Sequence, residues 1–277
     1  MIQVLEDGRV VLNHGPIQML LDITINHSRQ PELAFTVSQY IVDQFNQLLP
    51  YIDACKSRKK GDTMLTNYPP VLKKMMEAVH ISGDISLTPL AAVAGSFADL
   101  VLEKAIELGA TRVIANNGGD IALFDLDGEP IYVGIPIGAG NSSLTLTIKR
   151  EDNIRGICTS GLGGRSFTKG IATAAVALAR SASIADACAT HLGNETNVED
   201  ECIVRCYAEQ IDSETDIPGH LITLKVGKLS KKKIYTALLN GINAATKLYE
   251  NEIIKGAVIC IGDEVVMVPD GIAKIKK

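Results

Sequence analysis

The chain has 277 residues, a hydrophobic fraction of 46%, a formal net charge of −5 and a pI of about 5.6. The acidic balance and an aromatic content of 4% without tryptophan exclude a basic nucleic-acid footprint and an aromatic platform for single strands. We expect no signal peptide, because the first residues lack a charged region followed by an apolar run, and no stretch reaches the roughly 18 apolar residues of a membrane helix. We therefore expect a cytoplasmic protein whose six cysteines are reduced.

The first hundred residues alternate strand and helix patterns. Residues 2–5 and 10–12 flank Asp7-Gly8 and are predicted to form a hairpin, and residues 17–25 are predicted to form one further strand. Apolar residues at helical spacing predict three helices, over residues 33–49, 71–79 and 90–108. A basic run at 56–60 is interpreted as a solvated loop. The small side chains that begin the third helix allow close packing, and a homodimer is compatible with this surface.

The rest of the chain mixes further strands with two helical segments. Alternating or apolar runs predict strands over residues 112–115, 121–124, 131–135, 144–148, 221–226 and a hairpin over 257–267. We expect 112–150 to form an antiparallel meander. Alanine content predicts helix through 171–193, with a new helix beginning near Ser183, and an amphipathic helix covers 231–249. Cys202 and Cys206, four residues apart, are expected on one helix face. The mixed order favours an α+β fold with antiparallel sheets.

Two segments carry residues with candidate chemistry. The first is the glycine turn Asn116-Asn117-Gly118-Gly119-Asp120, which lies between two apolar strands. Its glycines allow positive φ, their amides can face a phosphate, and Asp120 can hydrogen-bond the turn or a ligand. The competing interpretation is an ordinary hairpin, because Asn-Gly is a common hairpin signal.

The second segment follows the meander. It contains a small, hydroxyl-rich loop from Thr159 to Ser166, in which Arg165 can pair with an anion. Downstream, Asp186 and Thr190 are four residues apart and share a helix face, so a carboxylate and a hydroxyl can contribute to a hard-oxygen Mg²⁺ site. The alternative is that both residues only stabilise the helix.

Three motifs in this order resemble the ApbE-type FAD:protein FMN transferases. The similar segments are Ala115-Asn116-Asn117-Gly118-Gly119-Asp120-Ile121, Cys158-Thr159-Ser160-Gly161 and Ala185-Asp186-Ala187-Cys188-Ala189-Thr190. The stretch from Pro89 to Asn194 looks most like an ApbE-like family of archaea and anaerobic bacteria. The resemblance implies one ApbE-like, T-fold-related domain over residues 1–277, or two intimately packed subdomains.

The resemblance also implies a site and its ligands. FAD or FMN, or a related phosphate metabolite, would contact eight residues, namely Asn117, Gly118, Gly119, Asp120, Thr159, Ser160, Gly161 and Arg165. Mg²⁺ would be held by Asp186, Thr190 and backbone oxygen, and an acceptor protein would be the partner of a transfer reaction. Two transferase positions differ, since Ala94 replaces a lysine and the 165–170 segment has no histidine. The resemblance therefore implies the pocket more strongly than it implies FMN transfer.

Three functional interpretations follow. The first is a flavin- and Mg²⁺-binding protein, transferase-like if it is an enzyme. The second is a non-catalytic accessory or metabolite-binding protein on the same scaffold, linked to sulfur or homocysteine metabolism. The third is an enzyme of a different class with Cys158 as the nucleophile. No histidine near it in sequence could activate it, which disfavours this interpretation. His191 lies on the helix of Asp186 and is expected either near the site or on the surface.

Overall fold

A computed structural model describes residues 1–58, 67–137 and 143–276, so the end of the basic run, residues 59–60, lies outside the described residues. The described α-helices are α1 (Pro31–Leu48), α2 (Ile52–Cys55), α3 (Pro70–Ser82), α4 (Val93–Glu107), α5 (Ala182–Glu195) and α6 (Lys231–Glu250). A short 3₁₀ turn, Pro89–Ala92, leads directly into α4. None of the described helices is long and apolar enough to cross a membrane.

The described strands pair only in antiparallel fashion. They are β1 (Ile2–Val4), β2 (Val10–His14), β3 (Ile17–Ile25), β4 (Ser28–Arg29), β5 (Arg112–Asn117), β6 (Asp120–Asp125), β7 (Ile131–Pro136), β8 (Ser143–Ile148), β9 (Gly156–Ser160), β10 (Ala174–Ala179), β11 (Ile203–Tyr207), β12 (Leu221–Val226), β13 (Gly256–Ile261), β14 (Glu264–Val268) and β15 (Ala273–Lys276). Within the described residues they form one large sheet, ordered β1-β2-β3-β5-β6-β9-β10-β13-β14 with β4 beside β3, a β11-β12 ribbon and a small β15-β8-β7 sheet.

The large sheet is covered on both faces. Alternate residues of its central strands point to opposite sides, so Cys158 and Ala177 join the core beneath the helices while Ile157 and Leu178 join the core beneath the small sheet. Full burial of a side chain such as Leu178 contributes about 1.5–3 kcal/mol. This layered packing confirms the α+β class with antiparallel sheets.

Most predicted elements lie where the periodicity placed them. The strand over 17–25 and the strand over 221–226 have the expected bounds, and the amphipathic helix ends one residue later, as α6. The helix predicted over 90–108 is divided into the 3₁₀ turn and α4.

Three predictions were wrong. The helix predicted through 171–193 is wrong in its first half, which forms β10 between β9 and β13, whereas the new helix expected near Ser183 is confirmed as α5, which starts after the N-cap Ser181. The meander fails after β6, since β6 pairs with β9 while β7 and β8 form a separate sheet with β15. Cys202 and Cys206 share no helix face, because Cys206 lies on β11 and Cys202 is exposed just before it.

Candidate functional site

The glycine turn joins β5 to β6 as a two-residue hairpin. Asn117 pairs with Asp120, and the intervening Gly118 and Gly119 have φ of 68° and 110°. Such values strain any residue with a Cβ, which explains the two glycines. The Gly119 N–H donates to Asn116 Oδ1 at 2.9 Å, so this amide is already used within the turn.

The side chain of Asn117 connects the turn to the start of α4. Its Nδ2 donates to the Ala94 carbonyl at 3.1 Å, and its Oδ1 accepts from the Gln18 N–H at 3.4 Å. Asn117 is buried on the sheet face that carries the helices. We infer that it holds the turn against α4, which leaves its amide few groups to offer a ligand.

Asp120 lies on the same face and is almost completely buried. Its Oδ1 accepts the Thr159 N–H at 3.2 Å. Burial raises the pKa of the Asp120 carboxyl to about 6, although the hydrogen bond from the Thr159 N–H, the neighbouring Cys158 thiol and the charge of Arg165 oppose the rise. Asp120 is therefore a carboxylate whose negative charge is incompletely compensated by its protein neighbours.

Asp186 faces Asp120 from α5. Its Oδ2 accepts the Gly95 N–H at 2.9 Å, at the start of α4. Burial raises the pKa of the Asp186 carboxyl well above its ordinary value, the charge of Asp120 raises it further, and the amides of Gly95 and Ala94 oppose both. The structure thus places two buried carboxylates, from the glycine turn and from α5, within electrostatic reach of each other.

Thr190 lies one helical turn beyond Asp186, as its spacing predicts. Its Oγ1 donates to the Ala91 carbonyl at 3.4 Å, which places a hydroxyl and a backbone oxygen side by side. Asp186 and Thr190 thus both face the 91–95 segment. Among the described residues no group of three or more His, Cys, Asp or Glu side chains could hold a metal ion. A metal here would need these mixed oxygen donors and water.

The Thr-Ser-Gly segment is divided between two environments. Thr159 and Ser160 end β9 rather than beginning a loop, and the exposed Thr159 contributes its backbone N–H to the site. Ser160 Oγ lies close to Gly193 of α5. Gly161 has φ of 139°, and a Cβ there would meet the carbonyls of Ala172 and Thr173 at 2.8 Å. Close backbone packing accounts for this glycine.

Arg165 lies over the glycine turn. Its Nη1 donates to the Pro16 carbonyl at 3.0 Å, and a Cβ at Gly118 would lie 2.3 Å from Nη2. The guanidinium is exposed and lowers the pKa of Asp120. Arg165 is therefore close to the buried carboxylate of Asp120 and retains donors that face solvent.

Cys158 has the environment of a structural thiol. It is fully buried, its Sγ donates to the Ala182 carbonyl at 3.1 Å, and burial raises the pKa of its thiol well above the ordinary value. A nucleophilic cysteine needs the thiolate form, which this environment disfavours. The arrangement does not support Cys158 as a nucleophile.

Sequence reasoning missed two groups of residues. Asp99 of α4 accepts the N–H groups of Ala182 and Ser183, at 2.8 and 2.9 Å. A signal existed, because Asp99 is the single charged residue in the apolar run 89–102. The second group surrounds His191, whose Nδ1 lies 2.9 Å from Asp84 Oδ2. Asp84 is distant in sequence, so no local pattern could reveal that pair.

Two cavities lie away from these residues. One of about 250 Å³ is formed by β6, β8 and the 149–155 turn, and one of about 590 Å³ by β8, the end of α6 and the β14–β15 connection. Neither is lined by a candidate site residue. The candidate site is instead a packed junction, with Arg165, Thr159 and the glycine turn at its solvent side.

Known proteins resemble this chain in sequence and in fold. The sequence profile of the family described as "AbpE bacteria" matches residues 2–267. A UPF0280 protein of Methanococcus vannielii is 36% identical over 217 residues, which cover 72% of this chain and 84% of that protein. A UPF0280 protein of Methanococcoides burtonii is 36% identical over 156 residues, and the match spans 63% of its length, somewhat less than two thirds.

A crystal structure of Pseudomonas stutzeri flavinyl transferase ApbE in the apo form shares the fold. The TM-score is 0.54, the sequence identity is 12%, and the match covers 97% of this chain and 94% of that one. Because the identity is so low, this likeness establishes the fold alone. Fold, motifs and profile together define an ApbE-like protein. The chain belongs to the AbpE bacteria family and is related to the UPF0280 proteins.

Proposed function

We propose that this chain binds a flavin nucleotide, FAD or FMN, or a related phosphate metabolite, together with Mg²⁺, where the glycine turn meets α4 and α5. The observation that carries the proposal is the pair of buried carboxylates, Asp120 and Asp186. Burial disfavours the charged form of both, and the charge of Asp120 further disfavours that of Asp186. A bound cation would relieve this repulsion, because it compensates both charges at once.

The donor set fits Mg²⁺. This ion commonly uses one or two carboxylates, retains several waters and contacts the phosphates of its ligand. Asp186 would supply a carboxylate oxygen, Thr190 a hydroxyl and the 91–95 segment a carbonyl. When bound, the ion would neutralise phosphate charge and fix its position. The exposed guanidinium of Arg165 would add charged donors from the other side of the turn.

Binding rather than transfer is the centre of the proposal. Ala94 stands where the transferases carry lysine, and the 165–170 segment holds no histidine. A binding protein without catalysis is the second candidate. It is favoured by the hydrogen bond from Gly95 to Asp186, because this carboxylate already has a structural partner.

Flavin titration with and without MgCl₂ tests the proposal. We expect the flavin fluorescence and the melting temperature to change in a Mg²⁺-dependent manner. Asp186→Asn should abolish the Mg²⁺ dependence and keep the circular dichroism spectrum, whereas Asp263→Asn in the exposed β13–β14 turn should behave like wild type. If Asp186→Asn does not fold, Thr190→Val removes a single donor at nearly constant volume. No flavin response under either condition would overturn the proposal.

A separate assay distinguishes the two candidates. The protein is incubated with FAD, Mg²⁺ and a threonine-containing acceptor peptide, and the peptide is analysed by mass spectrometry. An increase by the mass of FMN minus water would establish transfer. Flavin binding without peptide modification would establish a binding protein.

A further inference from the structure

A second polar cluster lies beside the candidate site, around Lys169. Its ammonium Nζ donates to Ser86 Oγ at 2.7 Å, and Ser86 Oγ donates to Asp84 Oδ1 at 2.7 Å. The other oxygen of Asp84 lies 2.9 Å from His191 Nδ1. This chain of contacts joins the loop before the 3₁₀ turn, the segment after β9 and the end of α5.

The backbone of Lys169 is held firmly. Its N–H donates to Asn194 Oδ1 at 2.9 Å, and its carbonyl accepts from Asn197 Nδ2 at 2.8 Å. The next residue, Gly170, packs so closely that a Cβ would lie 1.9 Å from the Gly193 carbonyl. The side chain of Lys169 therefore starts from a fixed point, and its ammonium is placed without much freedom.

The ammonium of Lys169 retains unused donors. It has three N–H groups, and Ser86 takes one of them. No carboxylate of the described residues lies within 4.0 Å of it, and the neighbouring Asp84 is already bonded to Ser86 and His191. Burial lowers the pKa of Lys169 and the charge of Arg58 lowers it again, whereas the charges of Asp84 and Glu195 oppose both. A half-buried cation with free donors is costly unless an anion contacts it.

Arg58, in the basic run, lies within electrostatic reach of Lys169 and His220. Lys56 Nζ donates to the Glu214 carbonyl, and its ammonium lies 3.7 Å from the Glu214 carboxylate. These contacts hold the 56–58 segment against the turn that precedes His220. No ion pair of Arg58 is found within the described parts of the chain.

His220 reaches the cluster from the start of β12. The Thr223 N–H donates to the Thr168 carbonyl at 2.9 Å, which places β12 along the segment that carries Lys169. Burial lowers the pKa of His220, the charges of Arg58 and Lys169 lower it further, and the charges of Asp84 and Asp216 oppose them. Three basic side chains from three distant segments thus lie near one another.

We propose that Lys169, Arg58 and His220 form a binding site for a phosphate group, carried by a small phosphorylated metabolite or present as the free ion. Lys169 and Arg58 offer cationic N–H donors and His220 offers an imidazole N–H, each from a separate segment. Donors arranged in this way can contact different oxygens of one phosphate. None of the three belongs to the candidate flavin site, so this site can exist whether or not flavin binds. Because His191 directly follows Thr190 on α5, the two sites are neighbours.

Calorimetric titration with sodium phosphate in EDTA tests the site, with sodium chloride of equal ionic strength as the reference. EDTA removes divalent cations, so the result does not depend on the proposed Mg²⁺ site. We expect phosphate to bind and chloride not to bind. Lys169→Gln should weaken phosphate binding about tenfold or more, as expected for a lost charge-assisted hydrogen bond. Lys228→Gln, at an exposed position, should change it less than about twofold.

Two further arms complete the experiment. If Lys169→Gln does not fold, Arg58→Gln and His220→Gln must each weaken phosphate binding. Titrations with adenosine 5′-monophosphate and adenosine distinguish a phosphorylated metabolite from the free phosphate ion. Tighter binding of the nucleotide than of free phosphate would indicate a phosphorylated metabolite, and adenosine is the control that lacks the phosphate. Equal responses to phosphate and chloride, or unchanged phosphate affinity in the folded variants, would overturn the inference.

Discussion

Asp99 and Asp186 lie on neighbouring helices, and each accepts hydrogen bonds from the first turn of the other helix. Asp99 of α4 accepts from Ala182 and Ser183 of α5, and Asp186 of α5 accepts from Gly95 of α4. The first N–H groups of a helix have no partner within it, and the positive end of the helix dipole favours a carboxylate. The two helices therefore cap each other beneath the candidate site.

Asp99→Asn tests this reciprocal capping. An amide keeps one acceptor but turns an NH₂ group toward a backbone donor, so one buried hydrogen bond is lost. We expect the free energy of unfolding to fall by about 1–3 kcal/mol. Urea denaturation followed by circular dichroism measures the change. The control Asp263→Asn, in an exposed turn, should change stability by less than about 0.5 kcal/mol. Equal stabilities of the two variants would contradict the capping role of Asp99.

Gly95→Ala tests the close contact between the two helices. A Cβ at this position would lie 2.2 Å from the Ala182 carbonyl and 2.8 Å from the Asp186 Cβ, so a helix must move. We expect the free energy of unfolding to fall by about 3 kcal/mol or more, which is the upper end of the usual cost of overpacking. Thermal and urea denaturation measure the change. Gly134→Ala on β7 is the matched control, because nothing lies within 4 Å of the added Cβ. It should change stability by less than about 1 kcal/mol.

The periodicity of apolar residues predicts those helices and strands that bury one face and expose the other. The strand over 17–25 alternates apolar and polar residues, and α6 places its apolar residues at helical spacing, so both appear in the sequence. β10 has no such signal. Its alanines favour helix locally, but β9 and β13 pair with both of its edges and its two faces are covered. Tertiary burial therefore overrides helix propensity there.

The candidate site shows the same division between local and distant information. The glycine turn is visible because positive φ requires glycine, and Asp186 and Thr190 are visible because their spacing places them on one face. The capping by Asp99 and the contact of Asp84 with His191 join residues more than 80 positions apart. Such contacts depend on the packing of α4, and of the loop that follows α3, against α5, which sequence spacing does not encode.

Cysteine labelling tests the structural role assigned to Cys158. Cys202 is exposed, whereas Cys158 is fully buried and its thiol pKa is raised by burial. Iodoacetamide should therefore modify Cys202 in the native protein and reach Cys158 only in urea. Peptide mass spectrometry identifies the labelled sites, and Cys202→Ser serves as the control. Rapid native labelling of Cys158 would instead support a reactive thiol.

The acid side of the stability curve should depend on Asp84. Burial raises the pKa of its carboxyl, but the hydrogen bonds with His191 and Ser86 outweigh burial and hold the pKa well below its usual range. A carboxyl with a lowered pKa in the folded state stabilises the protein fully above its unfolded pKa of about 3.9, and this contribution is lost as the pH falls below that value. Asp84→Asn should therefore lower the free energy of unfolding at pH 7 by about 1–3 kcal/mol.

The difference between wild type and Asp84→Asn should shrink as the pH falls from 5 to 3 and below, because the unfolded wild type takes up a proton near pH 3.9 while the folded carboxyl stays charged to a lower pH. Urea denaturation at a series of pH values measures both proteins under matched conditions. Asp263→Asn again controls for the removal of one surface carboxylate. A difference that stays constant down to pH 3 would show that Asp84 stabilises the loop by its shape and not by its charge. A difference that grows as the pH falls from 4 to 3 would contradict the lowered pKa itself.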